Sequence, residues 1–476
     1  MITSSIVNRF PIIVLLMFIF SCNNKEDITD QPQGEEEKNL TIFFFNDPHG
    51  QLNNFAKIKH IMEKEKETSE AILLCGGDIF SGNPIVDQYA EKGYPIIDIM
   101  NQVGVDVAVI GNHEFDYGLS VLKSRVEQKG FSWVCANVDT KESGLSQFDP
   151  YVTLSVAEMD ITILGLVETN GKPGAVIPST HPWRVRDIEF QRYSDVVGQY
   201  KDLKESENSD LFIALTHLGE NTDRALASEF PYFDLIIGGH SHSFENEPTN
   251  GIPIFQAGSY LSHLGKLELT IKNKKITGMK SSFIDLNEYT NEDQELRNAI
   301  DTYNDEPKFD EVVGYASSYL NTTELGCFYT TALKEYWGVD ASLQNGGGIR
   351  AGIDEGDITT LEIYRMDPFN NGNVIYTMSV GEIKQFFLDT NARMHMSGIR
   401  LERSGDDIIV YDENEKVLGN NEQITLSIND YIPAVYDNYF PYEDAEIKNL
   451  TTADVIINYL KTTNSTVDYE GCNRFY

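Results

Sequence analysis

The sequence has few cationic residues for its acidic content. Its 476 residues include 37 Lys and Arg against 74 Asp and Glu, which gives a formal net charge of −37. This excess of acid argues against nucleic-acid polymers and anionic membrane surfaces as partners, because both select basic patches. It does not argue against a small phosphorylated substrate, because bound metal ions would reverse the sign of the field locally.

Near the N-terminus, the apolar run at residues 10–20 is too short to cross a bilayer but has the length of a signal-peptide core. The run ends in Ile-Phe-Ser-Cys, which resembles a bacterial lipobox with Cys22 as the lipidated residue. A plain secretory signal is the alternative. We expect a signal peptide at residues 1–22, an acidic linker at 23–38, and an exported protein. A lipid anchor on Cys22 would hold it at the periplasmic or cell-surface face of a bacterial membrane.

Cysteine is also scarce, with five residues in the whole chain. If Cys22 carries lipid, four remain. Cys75 and Cys135 lie in apolar segments and are predicted to be buried thiols. Cys327 and Cys472 both lie in the last third of the chain, and the sequence leaves open whether they form a disulfide.

Strand and helix patterns alternate regularly up to about residue 285. Short apolar, β-rich runs predict strands at residues 41–45, 71–74, 107–110, 132–135, 161–167, 211–215, 235–237 and 254–256. Helical patterns occur at residues 54–66, 85–103, 119–129, 193–207 and 222–229. This alternation predicts a mainly parallel sheet that is covered by helices. A polar helical segment follows, and after it a second domain of mixed strands and helices.

Side chains that can bind metal ions follow five of the predicted strands. They are Asp47 and His49, then Asp78, then Asn112, then His217, and finally His240 and His242. Open α/β sheets place their active sites at the carboxyl ends of strands, so we expect these groups to share one cleft. Two carboxylates, an amide and four imidazoles can hold two divalent metals, which clamp a phosphoryl group and generate hydroxide from bound water.

His113 immediately follows Asn112 and is not needed as a ligand. Asp116, three residues later, could hold its imidazole in the charged form that donates to an oxyanion or a leaving oxygen. The remaining histidines lack a strand-end context and are predicted to be structural or surface residues: His60, His181, His263 and His395.

Together these segments resemble the signature of the calcineurin-like metallophosphoesterases. The run Gly-Asn-His-Glu-Phe-Asp-Tyr-Gly at residues 111–118 is typical of the branch that contains 5′-nucleotidases and UDP-sugar hydrolases. The second half carries further landmarks of that branch, namely Asn-Gly-Gly-Gly-Ile-Arg at 345–350, Pro-Phe at 368–369 and Asn-Asp-Tyr at 429–431.

The resemblance implies a fold and a set of roles. The fold would be a four-layer α/β/β/α sandwich at residues 39–290, a connecting helix at 291–308 and a smaller α+β substrate-binding domain at 309–476. One divalent metal would bind Asp47, His49, Asp78 and His242, and the other Asp78, Asn112, His217 and His240. The metals would be Zn, Mn, Fe or Co. His113 and Asp116 would stabilise the transition state, Arg350 would bind phosphate, Asn345 would contact the base, and Phe369 and Tyr439 would stack on it.

The sequence departs from the family on the substrate side. No arginine occurs between Arg297 and Arg350, where the family usually has another phosphate-binding arginine, and the usual glycines are missing from residues 432–440. We expect an exported dimetal phosphoesterase that converts 5′-nucleotides to nucleoside and phosphate through a metal-activated hydroxide. A 2′,3′-cyclic-nucleotide phosphodiesterase, a nucleotide-sugar pyrophosphatase, a non-nucleotide phosphatase or a hydrolase of sulfur-containing conjugates are alternatives. A catalytically inactive binding module is a further alternative, which the seven intact ligands disfavour.

Overall fold

The computed structural model describes residues 37–128, 130–140, 143–464 and 466–476. The predicted signal peptide, the Cys22 anchor and most of the predicted linker therefore lie outside the described residues. Lys38, which the sequence assigns to the linker, begins the first strand. Among the described residues, no helix has both the length and the apolar composition needed to cross a membrane.

Two six-stranded sheets form the centre of the first half of the chain. The strands of this half are β1 (Lys38–Phe45), β2 (Ala71–Cys75), β3 (Val107–Val109), β4 (Ser132–Val134), β5 (Val138–Asp139), β6 (Tyr151–Val156), β7 (Met159–Val167), β8 (Glu189–Phe190), β9 (Leu211–His217), β10 (Leu235–Ile237), β11 (Phe244–Glu245), β12 (Ile254–Ala257), β13 (His263–Lys272) and β14 (Lys275–Asp285). One sheet has the order β14–β13–β1–β2–β3–β4 and the other β11–β12–β10–β9–β7–β6. Strands β1 to β4 run parallel, as do β7, β9, β10 and β12.

Alternating side chains along the central strands serve two different cores. In β1, Ile42 and Phe44 pack into the core between the two sheets, whereas Phe43 and Phe45 face the helices outside. Strand β9 behaves in the same way, with Ile213 in the inner core and Phe212 in the outer one. Both faces of these strands are therefore buried, which is why they appear in the sequence as continuous apolar runs.

Helices cover the outer face of each sheet and complete the four layers. They are α1 (Phe55–Lys66), α2 (Pro84–Asp87), α3 (Tyr94–Val103), α4 (Leu119–Gln128), α5 (Tyr193–Val196), α6 (Leu203–Ser206), α7 (Glu220–Glu229) and α8 (Gln294–Asn304). The helix predicted at residues 85–103 is two helices, because Gly93 takes a left-handed conformation (φ 74°) before α3. The helix predicted at 193–207 is likewise divided, by a 3₁₀ turn at Val197–Tyr200.

The second half of the chain is α+β, as the resemblance implies. Its strands are β15 (Val312–Ala316), β16 (Ala341–Asn345), β17 (Gly356–Thr359), β18 (Gly372–Ser379), β19 (Met394–Ser397), β20 (Ile399–Ser404), β21 (Asp407–Asp412), β22 (Gln423–Asn429), β23 (Glu446–Thr451) and β24 (Thr466–Val467). Its helices are α9 (Thr322–Trp337), α10 (Thr360–Met366), α11 (Val380–Thr390), α12 (Tyr431–Val435) and α13 (Thr452–Thr463). The main sheet has the order β19–β16–β22–β18–β23, and a smaller one has the order β17–β15–β24.

Cys327 and Cys472 form a disulfide that joins helix α9 to the C-terminal segment. The two residues are 145 positions apart in sequence, so the bond closes a long loop. Cys75 and Cys135 are free and buried, in agreement with the sequence prediction.

Replacing both Cys327 and Cys472 with alanine should destabilise the second half of the chain by about 2–4 kcal/mol, because the unfolded chain regains the freedom that the cross-link removes. Urea unfolding in non-reducing buffer measures the loss. A reducing agent should destabilise the wild type by a similar amount and leave the double variant unchanged. Equal unfolding midpoints for wild type and variant without reductant would contradict a stabilising disulfide.

Candidate functional site

All seven predicted ligands meet in one cluster beyond the carboxyl ends of β1, β2, β3, β9 and β10. Two groups of three side chains have their ligand atoms within 4.8 Å of one another: Asp47, His49 and His242 in one, and Asp78, His217 and His240 in the other. The amide oxygen of Asn112 lies 3.1 Å from Nε2 of His217 and 2.9 Å from Nδ1 of His240. The two sets that the family resemblance implies contain these groups, with Asp78 added to the first and Asn112 to the second.

The carboxylate of Asp47 has one satisfied oxygen and one without a hydrogen-bond donor. Oδ2 accepts from the Asn46 side chain (2.7 Å) and from the backbone N–H of His240 (3.0 Å). Oδ1 is buried without a hydrogen-bond partner, although Nε2 of His242 is 3.2 Å away. A buried carboxylate oxygen that faces imidazole nitrogens is an arrangement that a cation would stabilise.

Asp78 belongs to the second group and also lies close to His49 of the first, a position that suits a shared ligand. Its Oδ1 accepts from the backbone N–H of His113 at 2.9 Å, and its Oδ2 is 3.0 Å from Nε2 of His217. His49, Asp78 and His113 form a third close group. The carboxylate of Asp78 therefore has neighbours in both predicted metal sets.

Backbone carbonyls orient two of the histidines. Nδ1 of His217 is 2.7 Å from the carbonyl oxygen of Gly76, and Nδ1 of His49 is 2.9 Å from that of Ser81. A carbonyl can only accept, so each Nδ1 carries the proton and donates it, which directs Nε2 into the cluster.

The charge states of these two imidazoles differ. Burial, assisted by the charge of His113, lowers the pKa of His49 to about 4. Burial alone would lower the pKa of His217, but Asp78 outweighs it and raises that pKa to about 10. A proton and a divalent cation compete for the same lone pairs. The His217–Asp78 pair, which binds a proton tightly, can therefore bind a metal ion in its place.

The loops that carry the ligands have unusual backbone conformations. Asp47, His49, Asp78, His240 and His242 all have positive φ, between 47° and 78°. Gly77 also has positive φ, and a side chain there would meet the His217 ring. Gly111 packs so tightly against Asp78 and Glu114 that any side chain would collide with them. The glycines in these motifs are therefore required by close approach.

Glu114 is a fully buried carboxylate that ties two of the ligand loops together. It accepts from the backbone N–H groups of Asp78 (3.0 Å), Ile79 (2.6 Å) and Gly111 (2.5 Å). Burial, with the nearby charge of Asp78, raises the pKa of Glu114 to about 7. This residue has a supporting role because its oxygens are occupied by backbone donors.

His113 and Asp116 form a close pair at the edge of the cluster. Nδ1 of His113 lies 2.6 Å from Oδ2 of Asp116, whose other oxygen accepts from the hydroxyl of Thr180 at 2.8 Å. Burial alone would lower the pKa of His113, but the carboxylates of Asp116 and Asp78 outweigh it and raise the pKa to about 10. The imidazole is therefore held as a cation that can donate through Nε2.

The donor set fits divalent metal ions. Buried carboxylates, an amide oxygen and oriented imidazoles are the mixed ligands that first-row metals prefer, and Oδ1 of Asp47 has no other partner. Asp47, His49 and His242 would hold one ion and Asn112, His217 and His240 the other, with Asp78 between them.

Two cavities that share His113 and Phe369 adjoin the cluster. One, of about 340 Å³, is lined by His49, His242, Tyr260 and the guanidinium-bearing residues Arg350 and Arg365. The other, of about 190 Å³, is lined by Asp116, His181, Arg184, Asn345 and Tyr431. The first half of the chain contributes one wall of each cavity, and the second half contributes the other.

The predicted substrate residues occupy different places around these cavities. The side chain of Asn345 is fixed by Asn429, whose amide donates to its oxygen at 2.9 Å. The guanidinium of Arg350 lies 5.7 Å from the ring centroid of Phe369. Tyr439 lines neither cavity, because its ring contacts Phe386 (5.5 Å between centroids) and its hydroxyl donates to Asp389. Stacking by Tyr439 would require its loop to move.

Several cavity residues were not predicted from the sequence. His181, predicted to be structural or surface, is buried and lines the smaller cavity, with Nε2 3.0 Å from Oδ1 of Asp430. Tyr260 has positive φ (55°) and its ring lies 5.0 Å from that of His49. Tyr431, seen only as part of a landmark, lines the smaller cavity. Within the sequence, only the polar residues at 179–184 could have indicated this wall of the smaller cavity.

Comparisons with known proteins agree with this architecture. Residues 40–244 match the calcineurin-like phosphoesterase family, and residues 306–440 match the 5′-nucleotidase C-terminal domain. The trifunctional nucleotide phosphoesterase YfkN of Bacillus subtilis is 30% identical over 77% of this chain, which spans 28% of that protein's length. UshA of Yersinia enterocolitica is 26% identical, over 81% of this chain and 82% of its own length.

A solved structure shares the fold over nearly the whole chain. The 5′-nucleotidase precursor from Thermus thermophilus superposes with a TM-score of 0.73 at 21% identity, covering 90% of this chain and 97% of its own. The two family matches together take in more than half of the sequence. The chain combines a calcineurin-like phosphoesterase domain with a 5′-nucleotidase C-terminal domain, and it is a metal-dependent phosphoric ester hydrolase.

Proposed function

We propose that the protein hydrolyses 5′-nucleotides to a nucleoside and inorganic phosphate, with two divalent metals held by Asp47, His49, Asp78, Asn112, His217, His240 and His242. One observation carries this proposal. The metal-ligand cluster and the residues that the family uses for phosphate and base, Arg350, Phe369 and Asn345, face adjoining cavities with His113 between them. A nucleotide whose phosphate points to the cluster would have its nucleoside beside Phe369.

The metals and the residues around them would have separate roles that follow from their positions. Bound metals would supply Lewis-acid stabilisation of the phosphoryl oxygens and a lowered pKa for water. Arg350 would hold the phosphate, and the cationic His113, fixed by Asp116, would donate to the oxygen on which charge develops. Asn345 is held by Asn429 and presents a fixed polar edge to the base.

Export is part of the proposal, together with the signal peptide and a lipid anchor on Cys22. The disulfide between Cys327 and Cys472 supports export, because such bonds persist mainly in oxidising compartments outside the cytosol. Metal identity is left as Zn, Mn, Fe or Co, since all four accept imidazole and carboxylate ligands.

The purified protein should hydrolyse AMP in the presence of Mn²⁺ or Zn²⁺ at least about tenfold faster than 2′,3′-cyclic AMP, UDP-glucose or p-nitrophenyl phosphate, reflecting about 1.4 kcal/mol or more of selective binding. Chromatography of the products measures each rate, because opening the cyclic ester or splitting the pyrophosphate releases no inorganic phosphate. A chelator should abolish turnover, and the added metal should restore it. Activity on the cyclic nucleotide or the nucleotide sugar, with none on AMP, would replace the nucleotidase assignment by one of those activities.

Asp78→Ala and Asn112→Ala should each lower kcat about a thousandfold or more, because each removes a ligand from the metal cluster. His60→Asn is a matched control, since His60 lies on helix α1 away from the cluster. Thermal unfolding should show that all three variants remain folded. Normal turnover by both ligand variants would overturn the two-metal assignment.

Phe369→Ala should raise KM for AMP about tenfold, because a ring stack contributes about 0.5–1.5 kcal/mol beyond its buried area. KM for p-nitrophenyl phosphate should change much less, since the effect concerns the nucleoside. Tyr439→Ala should change neither KM, because its ring packs outside both cavities. A large effect of Tyr439→Ala on AMP alone would show that its loop moves inward when substrate binds.

A further inference from the structure

The cavity beside the metal-ligand cluster contains two guanidinium groups. Arg350 was predicted as a phosphate ligand, but Arg365 had no predicted role, and both line this cavity together with His49, His113 and His242. Arg365 belongs to the last turn of helix α10, fifteen residues beyond Arg350. The cavity therefore places a second cation near the ligands that would hold the metals.

The backbone connects the two arginines directly. The N–H of Arg350 donates to the carbonyl oxygen of Met366, the residue after Arg365, at 2.8 Å. Helix α10 is itself well defined at its start, where Thr359 and Glu362 form a reciprocal capping box. The two arginines are therefore attached to backbone segments that are hydrogen-bonded to each other. This limits the distances that their guanidinium groups can adopt.

Neither guanidinium is neutralised within the described part of the chain. No carboxylate oxygen among those residues comes within 4.0 Å of either one, and neither donates a side-chain hydrogen bond there. In contrast, Arg297 and Arg400 form ion pairs with Asp301 and Glu415. In a chain with 74 acidic and 37 basic residues, two unpaired cations facing one cavity indicate an anionic ligand.

The sequence has no arginine between Arg297 and Arg350, where the family resemblance would place another phosphate-binding arginine. Arg365 reaches the cavity from another element, so it can compensate for the missing arginine.

We propose that Arg365 pairs with Arg350 to bind the transferable phosphate, and that this pair selects phosphomonoesters over phosphodiesters. A terminal monoester offers three non-bridging oxygens and nearly two negative charges at neutral pH, because its second pKa is about 6. A diester offers two such oxygens and one charge. Two planar, forked donors acting together with the metals need the larger number of acceptor oxygens.

The selectivity in this inference rests on the proposed phosphatase chemistry and narrows its substrate class. It does not depend on the nucleoside, because p-nitrophenyl phosphate carries the same terminal group as AMP. The nucleotide assignment and the role of Arg365 can therefore fail separately.

Arg365→Gln, compared with Arg403→Gln, tests the proposal. Arg403 is an exposed arginine of β20 that pairs with Asn391 and lines neither cavity. Arg365→Gln should lower kcat/KM about 10- to 100-fold for AMP and for p-nitrophenyl phosphate, as expected for loss of a charged hydrogen bond, mainly through KM. Turnover of bis(p-nitrophenyl) phosphate should fall less than about threefold. Arg365→Lys should recover part of the loss, and Arg403→Gln should behave as wild type.

A binding measurement separates contact with phosphate from other effects. Titration of the metal-loaded protein with inorganic phosphate should give a Kd about tenfold or more higher for Arg365→Gln than for wild type, whereas the Ki of adenosine should be unchanged. If the wild type hydrolyses p-nitrophenyl phosphate but not AMP, the nucleotidase proposal fails and the arginine pair is still tested. The proposed arginine pair would be overturned if Arg365→Gln lost equal activity on monoester and diester, or if it bound phosphate as tightly as Arg403→Gln does. A wild type that prefers diesters would also overturn it.

Discussion

The buried carboxylate of Glu114 is the contact on which the site depends most. Its two oxygens bind backbone N–H groups from the loop after β2 and from the loop after β3, so the position of Asp78 is tied to that of Asn112. Five of the seven predicted ligands, all except Asn112 and His217, have left-handed backbone conformations, which cost non-glycine residues about 1–2 kcal/mol each. A loop with that strain keeps its shape only where surrounding contacts over-determine it.

The same loops explain why so much of the site was predictable from sequence. Strands β1, β2, β3, β9 and β10 are buried on both faces, so each is a compact apolar run followed by glycine and polar residues. Parallel strands bring their carboxyl ends to one edge, and the pairing of the two sheets brings both edges together. Local pattern and topology therefore sufficed to predict that these seven side chains cluster, without any knowledge of side-chain contacts.

What the sequence did not predict depends on packing between distant segments. Strands β13 and β14 form a long hairpin, but β14 is largely exposed and polar, so it lacks the apolar signal of a buried strand. The pairing of Cys327 with Cys472 depends on how the C-terminal segment returns to α9. His181, Tyr431 and Arg365 become cavity residues because two halves of the chain meet there, and no local motif marks that meeting.

Arg184 links the wall of the smaller cavity to the pair formed by His113 and Asp116. Its guanidinium donates to the carbonyl oxygen of Asp116 and also to those of Phe369 and Asn370. Asn370 is held in addition by Gln88 and Lys92, each 2.7 Å from its side-chain oxygen. The ring that would contact the nucleoside is therefore positioned by residues of the metal-binding half, not by its own domain alone. Tyr431 of helix α12 lines the smaller cavity together with Phe369, so the shape of that cavity depends on elements of both halves. Substrate preference in this chain should accordingly follow the contacts between the two halves as much as the motif residues themselves.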